Sequence, residues 1–188
     1  MQTGFGRTGD HYWGFENFGV VPDFVTMAKG LGNGAPIGAV TTRMDIAQTL
    51  SQRIHFNTFG GNPVSMAAGL AAMDIIDEDG LQENSRVVGA RLKKGLERLQ
   101  KSHELIGNVR GMGLMLGVEL VRDRATKEPA KAETAEILEA TRELGVLIGK
   151  GGLDGNTLRI KPPMCITADD VDFALEVFDQ AFAQVEGN

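Results

Sequence analysis

Residues 25–34 of the chain read Val-Thr-Met-Ala-Lys-Gly-Leu-Gly-Asn-Gly. The β-branched and apolar residues before Lys29 follow Pro22 and predict a short buried strand, which a glycine-rich turn would end. A lysine amine at this junction would be partly desolvated, and desolvation favours the neutral, nucleophilic form that makes Schiff bases. Because most lysines are solvated surface charges, the position alone does not assign a function.

The segments around this stretch predict a chain in two parts, residues 1–76 and 77–188. In the first part we expect a second strand over 37–42, a helix over 44–52 and a small-residue helix over 64–76. So few strands would leave an exposed sheet edge and an uncovered apolar face.

The second part alternates helical and strand patterns, as a compact α+β module does. In chain order the predicted elements are a helix over 81–102, strands over 106–110 and 113–121, a helix over 132–144, strands over 146–148 and 158–161, and a last helix. The two strands on either side of Gly111 predict a hairpin. Thr167, with Asp170 three residues later, predicts a capping box at the start of the last helix.

Composition limits the classes of protein to which the chain can belong. It has 188 residues, of which 42% are hydrophobic and 23% charged, typical of a globular domain. Nineteen Lys and Arg against 25 Asp and Glu give a net charge of -6 without blocks of like charge, so no nucleic-acid partner is expected. A single cysteine, Cys165, excludes an internal disulfide, and no apolar run is long enough to predict a membrane span.

The common local signatures of catalysis are missing. The sequence contains no phosphate-binding loop, no His-Glu-x-x-His, no Gly-x-Ser-x-Gly and no cysteine pair, so no metal site is expected. His11, His55 and His103 are far apart along the chain, and each is interpreted first as a surface or packing residue. Lys29 is therefore the strongest candidate for a catalytic residue.

Several segments carry a resemblance to a known family. They are Gln-Thr-Gly-Phe-Gly-Arg-Thr-Gly at 2–9, Ala-Lys-Gly-Leu-Gly-Asn-Gly at 28–34, Asn-Thr-Phe-Gly-Gly-Asn-Pro at 57–63, Arg-Gly-Met-Gly-Leu-Met at 110–115 and Leu-Arg-Ile at 158–160. In order and spacing they resemble class III pyridoxal-phosphate-dependent aminotransferases over essentially the whole chain. The resemblance implies an α/β fold, part of the type I, aspartate-aminotransferase-like fold of these enzymes. Residues 1–76 would end the cofactor-binding large domain, and residues 77–188 would form the small α+β domain.

The resemblance also implies roles for four residues. Lys29 would form the Schiff base with pyridoxal 5'-phosphate and then move a proton between the substrate Cα and the cofactor. Gln2 would hydrogen-bond the cofactor's phenolic oxygen. Thr58 would reach the cofactor phosphate of a neighbouring subunit, so the site would be shared across a homodimer interface. Arg159 would orient the substrate carboxylate through its planar guanidinium.

The implied reaction transfers an amino group from an amino acid or amine to a 2-oxo acid, with alanine and glyoxylate as the first expectation. In the family, Asp-Glu-Val precedes the Gln-Thr-Gly motif, whereas here Met1 stands at the valine position. The aspartate that would stabilise the protonated pyridine nitrogen is therefore not in this sequence, and we interpret the chain as a C-terminal part of such an enzyme.

Two alternatives stay open. The chain could be a catalytically silent fragment or association module of the same family, or part of a family phospho-lyase that acts on an amino-alcohol phosphate. The first residues show neither a signal peptide nor a transit segment, which predicts a cytoplasmic location and leaves a mitochondrial one open for a full-length eukaryotic relative.

Overall fold

The first part of the chain is built on a two-stranded antiparallel sheet. In this computed structural model, which describes residues 2–187, strand β1 (Phe24–Met27) pairs with strand β2 (Ala39–Thr42). A 3₁₀ turn, Lys29–Leu31, follows β1. Both predicted strands are present, but the predicted burial of β1 is wrong. Its side chains alternate between exposed and half-buried, and Phe24 is 54% exposed, because only β2 pairs with it among the described residues.

Side-chain hydroxyls divide the helix predicted over residues 44–52. It consists of a single α-helical turn, α1 (Met44–Ala47), followed by a 3₁₀ segment, Gln48–Gln52. The hydroxyl of Thr49 donates to the Ile46 carbonyl, and that of Ser51 donates to the Gln48 carbonyl. Such local bonds compete with the regular helical pattern, which accounts for the change.

Helix α2 (Pro63–Glu78) confirms the helix predicted over 64–76. Phe5, Leu31 and Ile76 form a small buried core in this part of the chain. The Phe5 ring meets the rings of Tyr12 and Trp13 edge to face, at centroid distances of 5.8 and 5.0 Å. Many other large apolar side chains are exposed, as expected for an uncovered apolar face; among them are Phe18, Val21, Ile54, Phe56, Phe59 and Val64.

The chain divides into two compact units after Gln82, a few residues beyond the predicted boundary. Helix α3 (Leu81–Ser102) begins at this boundary and has the predicted bounds. The second unit continues with an antiparallel sheet and two more helices. Its elements are β3 (Ile106–Met112), β4 (Met115–Asp123), β5 (Glu128–Pro129), α4 (Lys131–Glu143), β6 (Gly149–Gly151), β7 (Thr157–Ile160) and α5 (Ala168–Glu186).

The sheet of the second unit has the strand order β3-β4-β7-β6, with β5 paired to β4. The predicted hairpin at Gly111 is confirmed by the β3–β4 pair. The strand predicted over 146–148 is wrong, because pairing on this edge begins at Gly149, opposite Arg159. The antiparallel register would place 146–148 opposite 160–162, where Pro162 has no N–H to donate.

One face of this sheet is covered by helices. Leu92 and Leu96 of α3, Ile137 of α4, and Phe178 and Phe182 of α5 are all buried in a single core. The predicted capping box opens α5, since the Thr167 hydroxyl accepts from the Asp170 N–H and the Asp170 carboxylate accepts from the Thr167 N–H. The apolar residues of these helices face the core, as the amphipathic patterns in the sequence predict.

His103 joins the end of α3 to α5 through two carboxylates. Its Nδ1 lies 2.6 Å from Oε2 of Glu186 and its Nε2 lies 2.8 Å from Oδ1 of Asp179, with the side chain only 7% exposed. A neutral imidazole has one N–H, so donating to both carboxylates requires the imidazolium. Burial alone would lower the pKa of His103, but the hydrogen bonds and charges of the two carboxylates outweigh it and raise the pKa.

We expect His103→Gln to lower the free energy of unfolding by about 1–3 kcal/mol at mildly acidic pH. Because the pKa of His103 is raised in the folded state, its stabilisation is complete below the unfolded value of about 6.5 and is lost as the pH rises through the folded pKa. Urea unfolding of both proteins across this range should show the difference shrinking with pH. The exposed His11 provides the control variant, His11→Gln, and a pH-independent loss in His103→Gln would contradict the imidazolium clamp.

Candidate functional site

Lys29 lies at the start of the 3₁₀ turn that ends β1. Its backbone has φ = +56°, in the left-handed region that residues other than glycine rarely adopt. The Lys29 carbonyl accepts from the N–H groups of Gly32 and Asn33 at 3.2 and 3.1 Å, which closes the turn. Lys29 itself is exposed, so the expected partial desolvation is not found in this chain.

Thr58 lies in an exposed loop that leads into α2. The loop is shaped by two asparagines: the Phe59 N–H donates to the Asn57 side chain at 3.3 Å, and Nδ2 of Asn62 donates to the Phe59 carbonyl at 2.9 Å. Asn62 also caps α2, since its side-chain oxygen accepts from the Ser65 N–H at 2.9 Å. The Thr58 hydroxyl is therefore presented on a defined turn rather than on a loose segment.

Gln2 precedes the buried Phe5 and is half-buried. Gln2, Lys29 and Thr58 all belong to the first unit, but within residues 2–187 no hydrogen bond joins their side chains to one another. The structure therefore defines the local environment of each residue but shows no hydrogen bond among the three side chains.

Arg159 belongs to the second unit and lies on the face of the sheet opposite the helical core. In the sheet register it is flanked by Gly117 of β4 and Gly149 of β6. A β-carbon at residue 149 would lie 3.6 Å from the Arg159 Nε, so the guanidinium stem runs over backbone that carries no side chain. In the described part of the chain, Arg159 makes no salt bridge, whereas Arg110 on β3 pairs with Glu119. Arg159 is thus exposed, cationic and not neutralised by a carboxylate of residues 2–187.

Two residues that shape the Thr58 loop and the Lys29 turn were not identified from the sequence. Asn62 could have been found, because Asn-Pro before a helical pattern is a capping signal. Phe5 could not have been found locally, because its contact with the Lys29 turn joins residues 25 positions apart. Over residues 2–187, no group of three or more His, Cys, Asp or Glu side chains is placed to hold a metal ion.

Comparison with known proteins defines the class. The family model for class III aminotransferases matches residues 1–182, so the chain belongs to this family. It is 57% identical over 185 residues to alanine–glyoxylate aminotransferase 2 homolog 2, mitochondrial, of Arabidopsis thaliana, and 48% identical over 186 residues to alanine–glyoxylate aminotransferase 2, mitochondrial, of Homo sapiens. Each match covers 98% of this chain, but only 39% and 36% of the two relatives.

Solved structures agree with this assignment. A phospholyase from Arthrobacter in complex with phosphoethanolamine superposes with a TM-score of 0.93 at 39% identity, over 97% of this chain and 43% of that one. A pyridoxal-phosphate-bound amine transaminase from an uncultivated Pseudomonas species superposes with a TM-score of 0.88 at 35% identity, with the same two coverages. The prediction of a partial fold of pyridoxal-phosphate-dependent transferases is therefore confirmed, and the family implies pyridoxal phosphate as the cofactor.

The donor set fits this cofactor. An aldehyde needs a primary amine, a phenolic oxygen needs a hydrogen-bond donor, and a phosphate needs hydroxyl or N–H donors. The side chains of Lys29, Gln2 and Thr58 carry groups of these kinds. The exposed Lys29 amine and the turn that presents the Thr58 hydroxyl leave both groups open to a ligand.

In residues 2–187, no helix is long and apolar enough to cross a bilayer.

Asn62→Ala should destabilise the first unit by about 1 kcal/mol and loosen the Thr58 loop, because it removes both the α2 cap and the bond to the Phe59 carbonyl. Limited proteolysis, with cleavage mapped by mass over residues 53–61, measures the loosening. Ser65→Ala is the matched control, since Ser65 enters the cap through its backbone N–H. Equal cleavage of the two variants would show that Asn62 does not hold the loop.

Proposed function

We propose that the chain is part of a transaminase that moves an amino group from an amino acid or amine to a 2-oxo acid, with alanine and glyoxylate as the first pair to test. The observation that carries this proposal is the exposed Lys29 amine, presented by a left-handed turn inside a segment that matches the family. Residues 1–76 are assigned to the end of the cofactor-binding large domain, and residues 77–188 to the small domain.

In this proposal each site residue acts on a different group. Bound pyridoxal phosphate supplies an electron sink for the charge that develops at the substrate Cα. Lys29 holds the cofactor through its ε-amine and afterwards carries the proton to and from the Cα. Gln2 donates a hydrogen bond to the phenolic oxygen, and Thr58 donates one to the phosphate. Arg159 binds the substrate carboxylate with two parallel N–H donors.

We assign Thr58 to the cofactor of a partner subunit in a homodimer. The setting of Thr58 supports this: Phe56 and Phe59, on either side of it, are 83% and 80% exposed. Two exposed phenyl rings around one hydroxyl are unfavourable in water and suit a surface that another chain covers.

A phospho-lyase acting on an amino-alcohol phosphate is the second candidate, and the superposition on the phospholyase complex favours it. Both reactions would use Lys29 in the same way. Release of inorganic phosphate from phosphoethanolamine, against formation of pyruvate from alanine and glyoxylate, separates the two reactions.

A silent association module is the third possibility, because the chain spans less than half of the length of its relatives. The compartment remains a prediction. The sequence predicts a cytoplasmic location, whereas two relatives are named as mitochondrial.

Incubation with pyridoxal phosphate and reduction with borohydride should place one stable adduct on Lys29, and Lys29→Ala should abolish it. Peptide mass mapping identifies the modified lysine. Lys127 is a matched control, because it is also an exposed lysine with a left-handed backbone, at φ = +60°, in a turn outside the proposed site. Lys127→Ala should label as the parent does. Labelling at Lys29 no heavier than at Lys127 would reject the assignment and favour the silent module.

Arg159→Ala should leave the Lys29 adduct intact and weaken the binding of a carboxylate substrate by about tenfold or more, because two charge-assisted hydrogen bonds are lost. Arg159→Lys should restore the charge but not the paired geometry, and so recover only part of the affinity. The change in absorbance of the cofactor with alanine concentration measures the affinity. Unchanged affinity in Arg159→Ala would remove Arg159 from the substrate site.

A further inference from the structure

The Lys29 turn has an unfavourable backbone that its surroundings must hold. A left-handed φ at a residue with a side chain persists where neighbouring contacts fix it. The hydrogen bonds from Gly32 and Asn33 to the Lys29 carbonyl close the turn on itself, but they do not fix where it lies in the unit. The position of the Lys29 amine therefore depends on packing beneath the turn.

Phe5 provides this packing on one side. Its side chain is buried, with 3% of the residue exposed, and a β-carbon at residue 30 would lie 3.1 Å from Cδ2 of the ring. The ring thus lies against the backbone of the residue that directly follows Lys29. Tyr12 and Trp13 hold the ring in place edge to face, and Phe5 itself has a left-handed backbone at φ = +59°.

Helix α2 also contacts the turn. A β-carbon at Gly69 would lie 3.5 Å from the Leu31 carbonyl oxygen, and the Leu31 side chain belongs to the same buried core as Phe5. The turn therefore contacts both an aromatic ring and a helix that approaches closely through a glycine. Lys29, by contrast, is exposed.

We propose that Phe5 is a positioning residue for the proposed reaction, which fixes the place of the Lys29 amine by packing its ring against Gly30. The inference rests on the proposed function and adds a residue that touches neither cofactor nor substrate. A planar ring is required because Gly30 offers a flat stretch of backbone without a side chain. A branched aliphatic side chain would fill similar volume but would leave the turn free to shift.

The test compares Phe5→Leu with Phe15→Leu in the full chain. Phe15 stacks on Trp13 in the same aromatic group, but its ring is not the one that packs against Gly30. Two quantities are measured: the rate at which pyridoxal phosphate forms a borohydride-stable adduct on Lys29, and the hydrogen exchange of the Gly32 and Asn33 amides, which needs no cofactor. We expect Phe5→Leu to slow the first and speed the second by about tenfold, with Phe15→Leu close to the parent. Far-ultraviolet circular dichroism confirms that each variant is folded.

The outcomes separate this inference from the proposed function. If the parent chain does not label at Lys29, the proposed function fails, and amide exchange alone decides whether Phe5 holds the turn. If the parent labels and Phe5→Leu labels at the same rate, Phe5 is not a positioning residue, whatever its effect on exchange. Should Phe5→Leu not fold, Gly30→Ala replaces it, because the added methyl displaces the turn from the ring; an unchanged labelling rate there would overturn the proposal.

Discussion

Close approach of one segment to backbone that carries no side chain is the constraint on which both units depend. In the first unit the Phe5 ring lies against Gly30, and α2 approaches the Lys29 turn at Gly69. In the second unit a β-carbon at Gly89 of α3 would lie 2.3 Å from the carbonyl carbon of Gly113, at the hairpin between β3 and β4. The high glycine content, 25 of 188 residues, thus serves packing at identifiable contacts.

Those parts of the fold that depend on local signals could be predicted from the sequence. The bounds of α3 follow from its amphipathic pattern, the β3–β4 hairpin from apolar runs around Gly111, and the capping box of α5 from Thr167 and Asp170. The strand expected over 146–148 failed for a non-local reason, since its partner strand ends before Pro162. The pairing of His103 with two carboxylates could not be predicted either, because these carboxylates are 76 and 83 residues away along the chain.

The candidate site divides in the same way. Lys29, Gln2, Thr58 and Arg159 came from motif resemblance, and the structure adds their settings: a left-handed turn, an asparagine-shaped loop and a glycine-flanked strand position. The prediction from sequence that was wrong concerns the exposure of β1 and Lys29 to solvent. An apolar run predicts burial only where another layer covers it, and whether β1 is covered depends on which other strands are present. Lys29 is exposed although it follows an apolar run, so its neighbours in sequence do not decide its exposure.

Among the described residues of the second unit, several cationic side chains pair with carboxylates, whereas Arg159 does not. His103, Arg91 and Arg122 each meet carboxylates within the unit, and these pairs join α3 to α5 or β4 to the segments that follow it. Arg159 lies in the same register row as Arg110, with Gly117 between them, yet only Arg110 is neutralised, by Glu119. Because Glu119 already pairs with Arg110, a carboxylate from outside the unit meets less competition at Arg159. Under the proposed function, the glycines on either side and the missing carboxylate partner are the reasons to assign the substrate carboxylate to Arg159 rather than to Arg110.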